Sequence, residues 1–168
     1  MHIPKSAVLG NPSKGFKQFL KTLTGGRITI GALGLGTAQG AFARALEYSQ
    51  EREAFGKSIN KFQGISFILS DMATQIGAAR HLVYDAAWKK DQGLPVIREA
   101  AMAKLFSSET AMQVTTEAIQ VLGGYGYIKE YDVERFFRDA KILEIGEGTS
   151  EIQRMIIAKD LIQSIQTV

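Results

Sequence analysis

The feature that most limits the fold of this chain is helical periodicity kept up over long, nearly unbroken stretches. Three such stretches run close to roughly 30 residues each, and at 1.5 Å per residue each would form a rod about 45 Å long. The first opens at "NPSKGFKQFLKTL", where Pro12 and Ser13 are entry signals and Phe16, Leu20 and Leu23 fall at helical spacing. It runs from about Ser13 to about Arg52, ahead of a short turn at "FGKSIN". The second covers about Lys61 to Gln92, with Ile65, Ile68, Leu69, Met72, Ile76 and Ala79 on one face, and "QGLP" closes it. The third covers about Val96 to Leu122. A short helix over Val133–Phe137 and a terminal one from Ser150 to Ile165 complete the set. The expectation is an all-α fold, an antiparallel up-and-down bundle of about four long helices plus a short one.

Composition narrows the function classes. Apolar residues make up 45% of 168 and charged residues 22%, the profile of one globular domain with a real core. No apolar run approaches the roughly 20 residues of a membrane span. The opening "MHIPKSAVLGNPSKGF" is polar and broken by prolines, unlike a targeting segment. The expected location is therefore cytoplasmic, or the mitochondrial matrix if the source is eukaryotic. There is no cysteine, and the two histidines, His2 and His81, stand far apart, so no metal site is expected. The formal charge of +3 comes from lysines and arginines scattered among acids, which does not suit nucleic-acid binding.

Inside the first helix, "RITIGALGLGTAQG" imitates a strand followed by a dinucleotide-binding loop. Its glycines, Gly34, Gly36 and Gly40, are spaced one residue too far for that fingerprint, and no alternating strands and helices follow. The alternative is that Gly36 and Gly40 share a helix face and admit another backbone closely.

Three stretches could carry chemistry. In "KILEIGEGTSEIQRM" the carboxylate of Glu147 stands between Gly146 and Gly148, just ahead of a helix start. Ser150 with Gln153 fits a capping box, and Thr149 is an alternative cap. The free N–H groups at such a helix mouth favour an anion or polar ligand, although from this stretch alone a plain charge–dipole contact is the better explanation of Glu147. In "QVLGGYGYIKEY" glycines end a helix beside Tyr125 and Tyr127. In "EREAFGKSINKFQ" the guanidinium of Arg52 suits a phosphate, Phe55 offers a stacking face and Gln63 can hydrogen-bond.

Taken together, "GGRI", "EREAFGKSINKFQ", "QVLGGYGY", "ERFFRDAKILEI" and "EGTSEIQR", in this order and at these separations, resemble the C-terminal α-helical domain of the acyl-CoA dehydrogenases. These are flavoenzymes that desaturate acyl-CoA thioesters between Cα and Cβ. The resemblance runs nearly end to end. It implies that residues 1–12, with "IPKSAVLG", are the tail of a preceding β-domain and that residues 13–168 are the helical domain.

The resemblance places the catalytic base on Glu147, which would take the α-proton as a hydride leaves Cβ for FAD. Excluding water makes a carboxylate a stronger base, and hydrogen bonds to the thioester oxygen acidify the substrate. In the family one of those donors is the backbone N–H of the base itself, and the other is a hydroxyl of the flavin's ribityl chain. The resemblance likewise implies that Arg52, Phe55 and Gln63 contact FAD bound mainly to a neighbouring subunit. Gln120, Val121, Leu122, Gly123 and Gly124 would meet the adenosine and pyrophosphate part across the same interface, and Thr149 and Glu151 would touch FAD beside the base. Arg27, Thr24 and Gly148 fall to the acyl-CoA. The implied assembly is a homo-oligomer, dimer or tetramer, with electron-transferring flavoprotein as acceptor. Two positions depart from the family. Gly146 replaces a common tyrosine, and Thr24 stands where many relatives have aspartate. Some relatives carry the base just before the arginine matched by Arg27, where this chain has Gly26. A second reading is a non-catalytic helical assembly module of the same fold.

Overall fold

A computed structural model describes residues 2–165. The long helices are α1 (Gly15–Glu51), α2 (Gln63–Asp91) and α3 (Ile97–Leu122), followed by α4 (Gly124–Tyr127), α5 (Val133–Ile145) and α6 (Ser150–Ile165). Ahead of α1, a 3-10 turn over Pro12–Lys14 is capped by Asn11, whose side chain accepts from the Ser13 N–H at 2.9 Å. A minimal antiparallel hairpin, β1 (Glu53–Ala54) with β2 (Lys57–Ser58), joins α1 to α2.

The direction of each helix follows from what it touches. On α1, Gly31 lies against Ala103 of α3 and Gly34 against Ser107, so α1 and α3 run parallel. Helix α2 runs back between their ends: Val83 and Ala86 pack with Val96 and Ala100, while Leu69 and Ile76 pack with Val114 and Ala118. Helices α5 and α6 both descend along α3, tied by Arg154 to Glu109 at 2.5 Å and by Arg98 to Asp160 at 3.5 Å. They form a single fourth limb, interrupted at residues 146–149. The up-and-down bundle is as expected, with its fourth helix broken in the middle.

Three details differ from the sequence reading. Helix α5 continues to Ile145 rather than ending near Phe137, because Val133, Phe136, Ala140 and Leu143 prolong one apolar stripe. The glycine-rich "GGYGY" forms a helical turn rather than a plain loop. The close approach of α1 to another backbone uses Gly31 and Gly34, not Gly36 and Gly40. A Cβ on Gly34 would stand 2.9 Å from the Ser107 carbonyl oxygen, whereas Gly36 faces open space and Gly40 faces the Phe136 ring. Spacing explains this: Gly31, Gly34, Ala38, Ala41 and Ala45 alternate by three and four, so they make one continuous face. Ala38, Ala41 and Ala45 on that face are wholly buried.

Among the described residues, no helix is long and apolar enough to cross a membrane, and no three acidic or histidine side chains gather to hold a metal ion.

Candidate active site

The break in the fourth limb begins where the Gly146 N–H closes α5 on the Ile142 carbonyl at 2.8 Å. The next two residues take positive φ, Glu147 at 57° and Gly148 at 96°. That pair turns the chain out of one helix and into the next. Gly148 has a backbone reason to be glycine, and a Cβ there would also press on the Gln153 amide at 2.9 Å. Gly146, at φ −63°, has none. A Cβ there would meet only the Ile142 carbonyl oxygen of the preceding turn, at 3.3 Å. Thr149 is the cap of α6, its hydroxyl accepting from the Ile152 N–H at 3.4 Å and its carbonyl from Gln153 N–H at 3.0 Å. Ser150 is the first helical residue instead, and the capping box is not formed.

The Glu147 carboxylate lies directly on α1. A Cβ added to Gly26 would meet its Oε2 at 2.6 Å, so the glycine in front of Arg27 makes room for the acid. Arg27 is buried; desolvation pushes its guanidinium below the ordinary arginine value, and the nearby Glu147 charge pulls it partly back. Its Nη1 donates to the Thr24 hydroxyl at 3.5 Å. The sequence-predicted Glu147, Arg27, Thr24 and Gly148 thus meet at one place. The Glu147 N–H finds no acceptor among the described residues. Glu151 sits in the first turn of α6, where its own N–H and the Thr149 hydroxyl hold its carboxyl below the usual range.

Two residues here are not read from the sequence as part of the site, where Gln153 counts only as a capping-box partner. Lys104 of α3 is wholly buried, its Nζ donating to the carbonyls of Glu144 at 3.1 Å and Gly148 at 2.8 Å. Gln153 is equally buried, and its Nε2 donates to the Glu147 carbonyl at 3.2 Å and the Gly148 carbonyl at 2.8 Å. One signal was available for Lys104: it lies among Ala100, Ala103, Ser107 and Ala111, on the small-residue face of its helix.

The remaining predicted residues gather elsewhere. A groove of about 880 Å³ is lined by Arg52, Phe55, Gln120, Val121, Leu122, Gly123 and Gly124, together with Tyr48, Phe62 and Tyr125. Gln63 stands between Phe62 and Gly64, both part of the wall, with its own side chain exposed. Arg52 caps α1 and rests 5.8 Å from the centre of the Tyr125 ring. Phe55 occupies the hairpin turn at φ 52° and is 95% exposed, a strained and solvated position for an aromatic. Phe55→Ala is therefore expected to change the melting temperature little, since surface truncations fall within about 0.5 kcal/mol, yet to weaken ligand retention in the groove. Thermal melts alongside a dinucleotide-retention assay check both halves.

Helix geometry separates the two clusters. Arg27, inside α1, and Arg52, at its C-terminal end, stand about 38 Å apart, taking 1.5 Å of rise per residue. Each place has features that suit a dinucleotide. The groove has the volume of a cofactor site, apolar and aromatic walls, one guanidinium, and open space in front of the Gly123 and Gly124 backbone. Beside the hinge, Arg27 Nε, Ser150 Oγ and Gln153 Oε1 are buried without a hydrogen-bond partner, leaving polar capacity for a ligand.

The family described as "Acyl-CoA dehydrogenase, C-terminal domain" matches residues 13–162. The chain is 55% identical, over 97% of its length, to "Probable acyl-CoA dehydrogenase YngJ" of Bacillus subtilis, and covers 43% of that protein. The solved butyryl-CoA dehydrogenase of Megasphaera elsdenii is 53% identical with a TM-score of 0.94, over 95% of this chain and 42% of that one. A structure of PigA with FAD and proline is 34% identical with a TM-score of 0.91, at the same coverage of 95% and 42%. The chain spans less than half the length of these relatives. With the motifs, the bundle and these matches in agreement, the chain belongs to the acyl-CoA dehydrogenase family, with residues 13–162 as its C-terminal domain.

Proposed function

We propose that this chain supplies the catalytic base and part of the flavin site of an FAD-dependent acyl-CoA dehydrogenase, with residues 1–12 as the tail of its β-domain. The observation that carries the reading is the pairing, on one residue, of a carboxylate laid against Gly26 and an amide N–H with no acceptor among the described residues. A base and an oxyanion donor on the same backbone act at adjacent atoms. The carboxylate takes the proton from Cα while the N–H stabilises charge growing on the thioester oxygen. Arg27 keeps a positive field beside that carboxylate, and Thr24 helps to orient its guanidinium. FAD, when bound, supplies the acceptor for the β-hydride, giving 2-enoyl-CoA. Thr149 and Glu151 border FAD next to the base, and Gly148, whose φ of 96° turns the chain there, brings the hinge backbone to the substrate.

Arg52, Phe55, Gln63 and the Gln120–Gly124 segment serve FAD bound mainly to a neighbouring subunit, in a dimer or tetramer. Electron-transferring flavoprotein is the acceptor that reoxidises it, and the enzyme works in the cytoplasm, or in the mitochondrial matrix of a eukaryote. The full-length protein should purify yellow, lose flavin colour anaerobically on mixing with an acyl-CoA, and release the 2-enoyl product. A flavin that holds its colour with every acyl-CoA tried favours the second reading, a helical assembly module. This chain alone is expected to be helical, colourless and inactive. Stoichiometric flavin surviving gel filtration of the isolated chain would count against a site shared between domains.

A further inference from the structure

The break between α5 and α6 sets a backbone problem. Ending one helix and starting another within four residues leaves carbonyl oxygens without helical partners. It also leaves Glu147 in the left-handed region, a conformation that persists in a non-glycine residue only when its surroundings fix it. Glu147 itself is exposed, and a hinge of this kind with no other support would be solvated and mobile. Here it is bonded by two side chains that are themselves removed from water.

Lys104 reaches from α3 with both hydrogen bonds on backbone carbonyls, one before Glu147 and one after it. Gln153 reaches back from α6 to the carbonyls of Glu147 and Gly148. The Gly148 oxygen therefore accepts two bonds, one from Lys104 and one from Gln153, while the Glu147 oxygen accepts one from Gln153, so two successive peptide planes are held. Burying an ammonium group is unfavourable, and burial presses the Lys104 pKa below its ordinary value. A simple helix cap needs no buried cation, because water or a neutral donor can satisfy an exposed carbonyl. A donor with a fixed stem, anchored in the small-residue face of α3, does more: it ties the hinge to the rigid α1–α3 pair on which the Glu147 carboxylate rests.

We propose that Lys104 and Gln153 are positioning residues for Glu147, holding the carbonyls of Glu144, Glu147 and Gly148 so that the carboxylate of residue 147 addresses the substrate Cα while its amide addresses the thioester oxygen. This rests on the reading of Glu147 as the base. Misplacement of a reacting group by about 1 Å lowers rates on the order of 10²-fold, which sets the expected scale.

The test uses the flavin-loaded full-length protein with Lys104→Met, which keeps an apolar stem and removes the donors, and Lys104→Gln, which returns a neutral donor. Lys104→Met should lower kcat by roughly 10²-fold with KM for acyl-CoA little changed, and Lys104→Gln should recover part of the loss. Amide exchange across residues 146–149 should accelerate at least about tenfold in Lys104→Met while α1 and α3 stay protected. Should Lys104→Met fail to fold, Gln153→Met is read by the same two measurements. Unchanged kcat and unchanged exchange at the hinge in a folded variant would overturn the proposal, as would equal acceleration of exchange throughout the bundle. Glu147→Gln run in parallel separates the two claims. If it retains turnover, the base is misassigned, and hinge exchange still reports independently on whether Lys104 fixes the loop.

Discussion

Glu147→Gln in the full-length protein is expected to keep FAD and acyl-CoA bound while turnover falls about 10²–10⁴-fold, the usual scale for losing a positioned general base. Glutamine has nearly the same shape, so it fits the space that Gly26 leaves and should not disturb the hinge. What it loses is the ability to accept the α-proton. Arg27 would lose the negative charge beside it, a modest effect on a group that keeps its bond to Thr24. Glu147→Asp separates geometry from chemistry: it retains a carboxylate but withdraws it by one methylene, so intermediate rates are expected. Rapid mixing with acyl-CoA in the absence of oxygen, followed by flavin colour, measures the step directly. Bleaching at near-normal rate in the glutamine variant would remove Glu147 from the mechanism.

The second large effect is on stability and comes from paired glycine substitutions in one helix. Gly34→Ala places a methyl 2.9 Å from the Ser107 carbonyl oxygen and 3.1 Å from its carbon, both backbone atoms of a packed helix. The α1–α3 contact must open along its length, at an expected loss of about 1–3 kcal/mol. Gly36→Ala adds the same methyl where nothing lies within 4 Å. There the better helix propensity of alanine should stabilise the chain by up to about 1 kcal/mol. Opposite signs two residues apart, read by denaturant midpoints, would locate the crossing. Two destabilised variants would show that the crossing lies elsewhere.

That pair also marks the limit of what the sequence makes legible. Periodicity and the punctuation at Pro12 and "QGLP" place the long helices to within a few residues, because breakers act locally. The same local logic cannot say which of two glycine faces meets another helix, since that depends on residues far along the chain. Arg52, Phe55 and the Gln120–Gly124 segment were readable as motifs, and the fold brings them to one groove. Lys104 was not readable as part of the site. A lysine is ordinarily a surface residue, and only the carbonyls of a broken helix 40 residues later give this one a buried role. The end of α5 was set too early because charged residues interrupt "ERFFRDAKILEI", although they lie off the stripe formed by Phe136, Ala140 and Leu143.

The length of α1 has a consequence for how such a domain can vary. The hinge region rests on the helix near Arg27, while the groove hangs from its end at Arg52. Between them the backbone is one uninterrupted helix, with no loop to absorb a change in length. One inserted residue would turn Arg52 by about 100° relative to Gly26 and swing the hairpin out of register with Gly123 and Gly124. Steps of about seven or eleven residues, close to two or three turns, bring the phase back to within about 20°, and they would lengthen the helix by about 10.5 or 16.5 Å. The distance along this helix between the hinge region and the groove is thus quantised, and it should resist single-residue insertions far more strongly than the loops at either end.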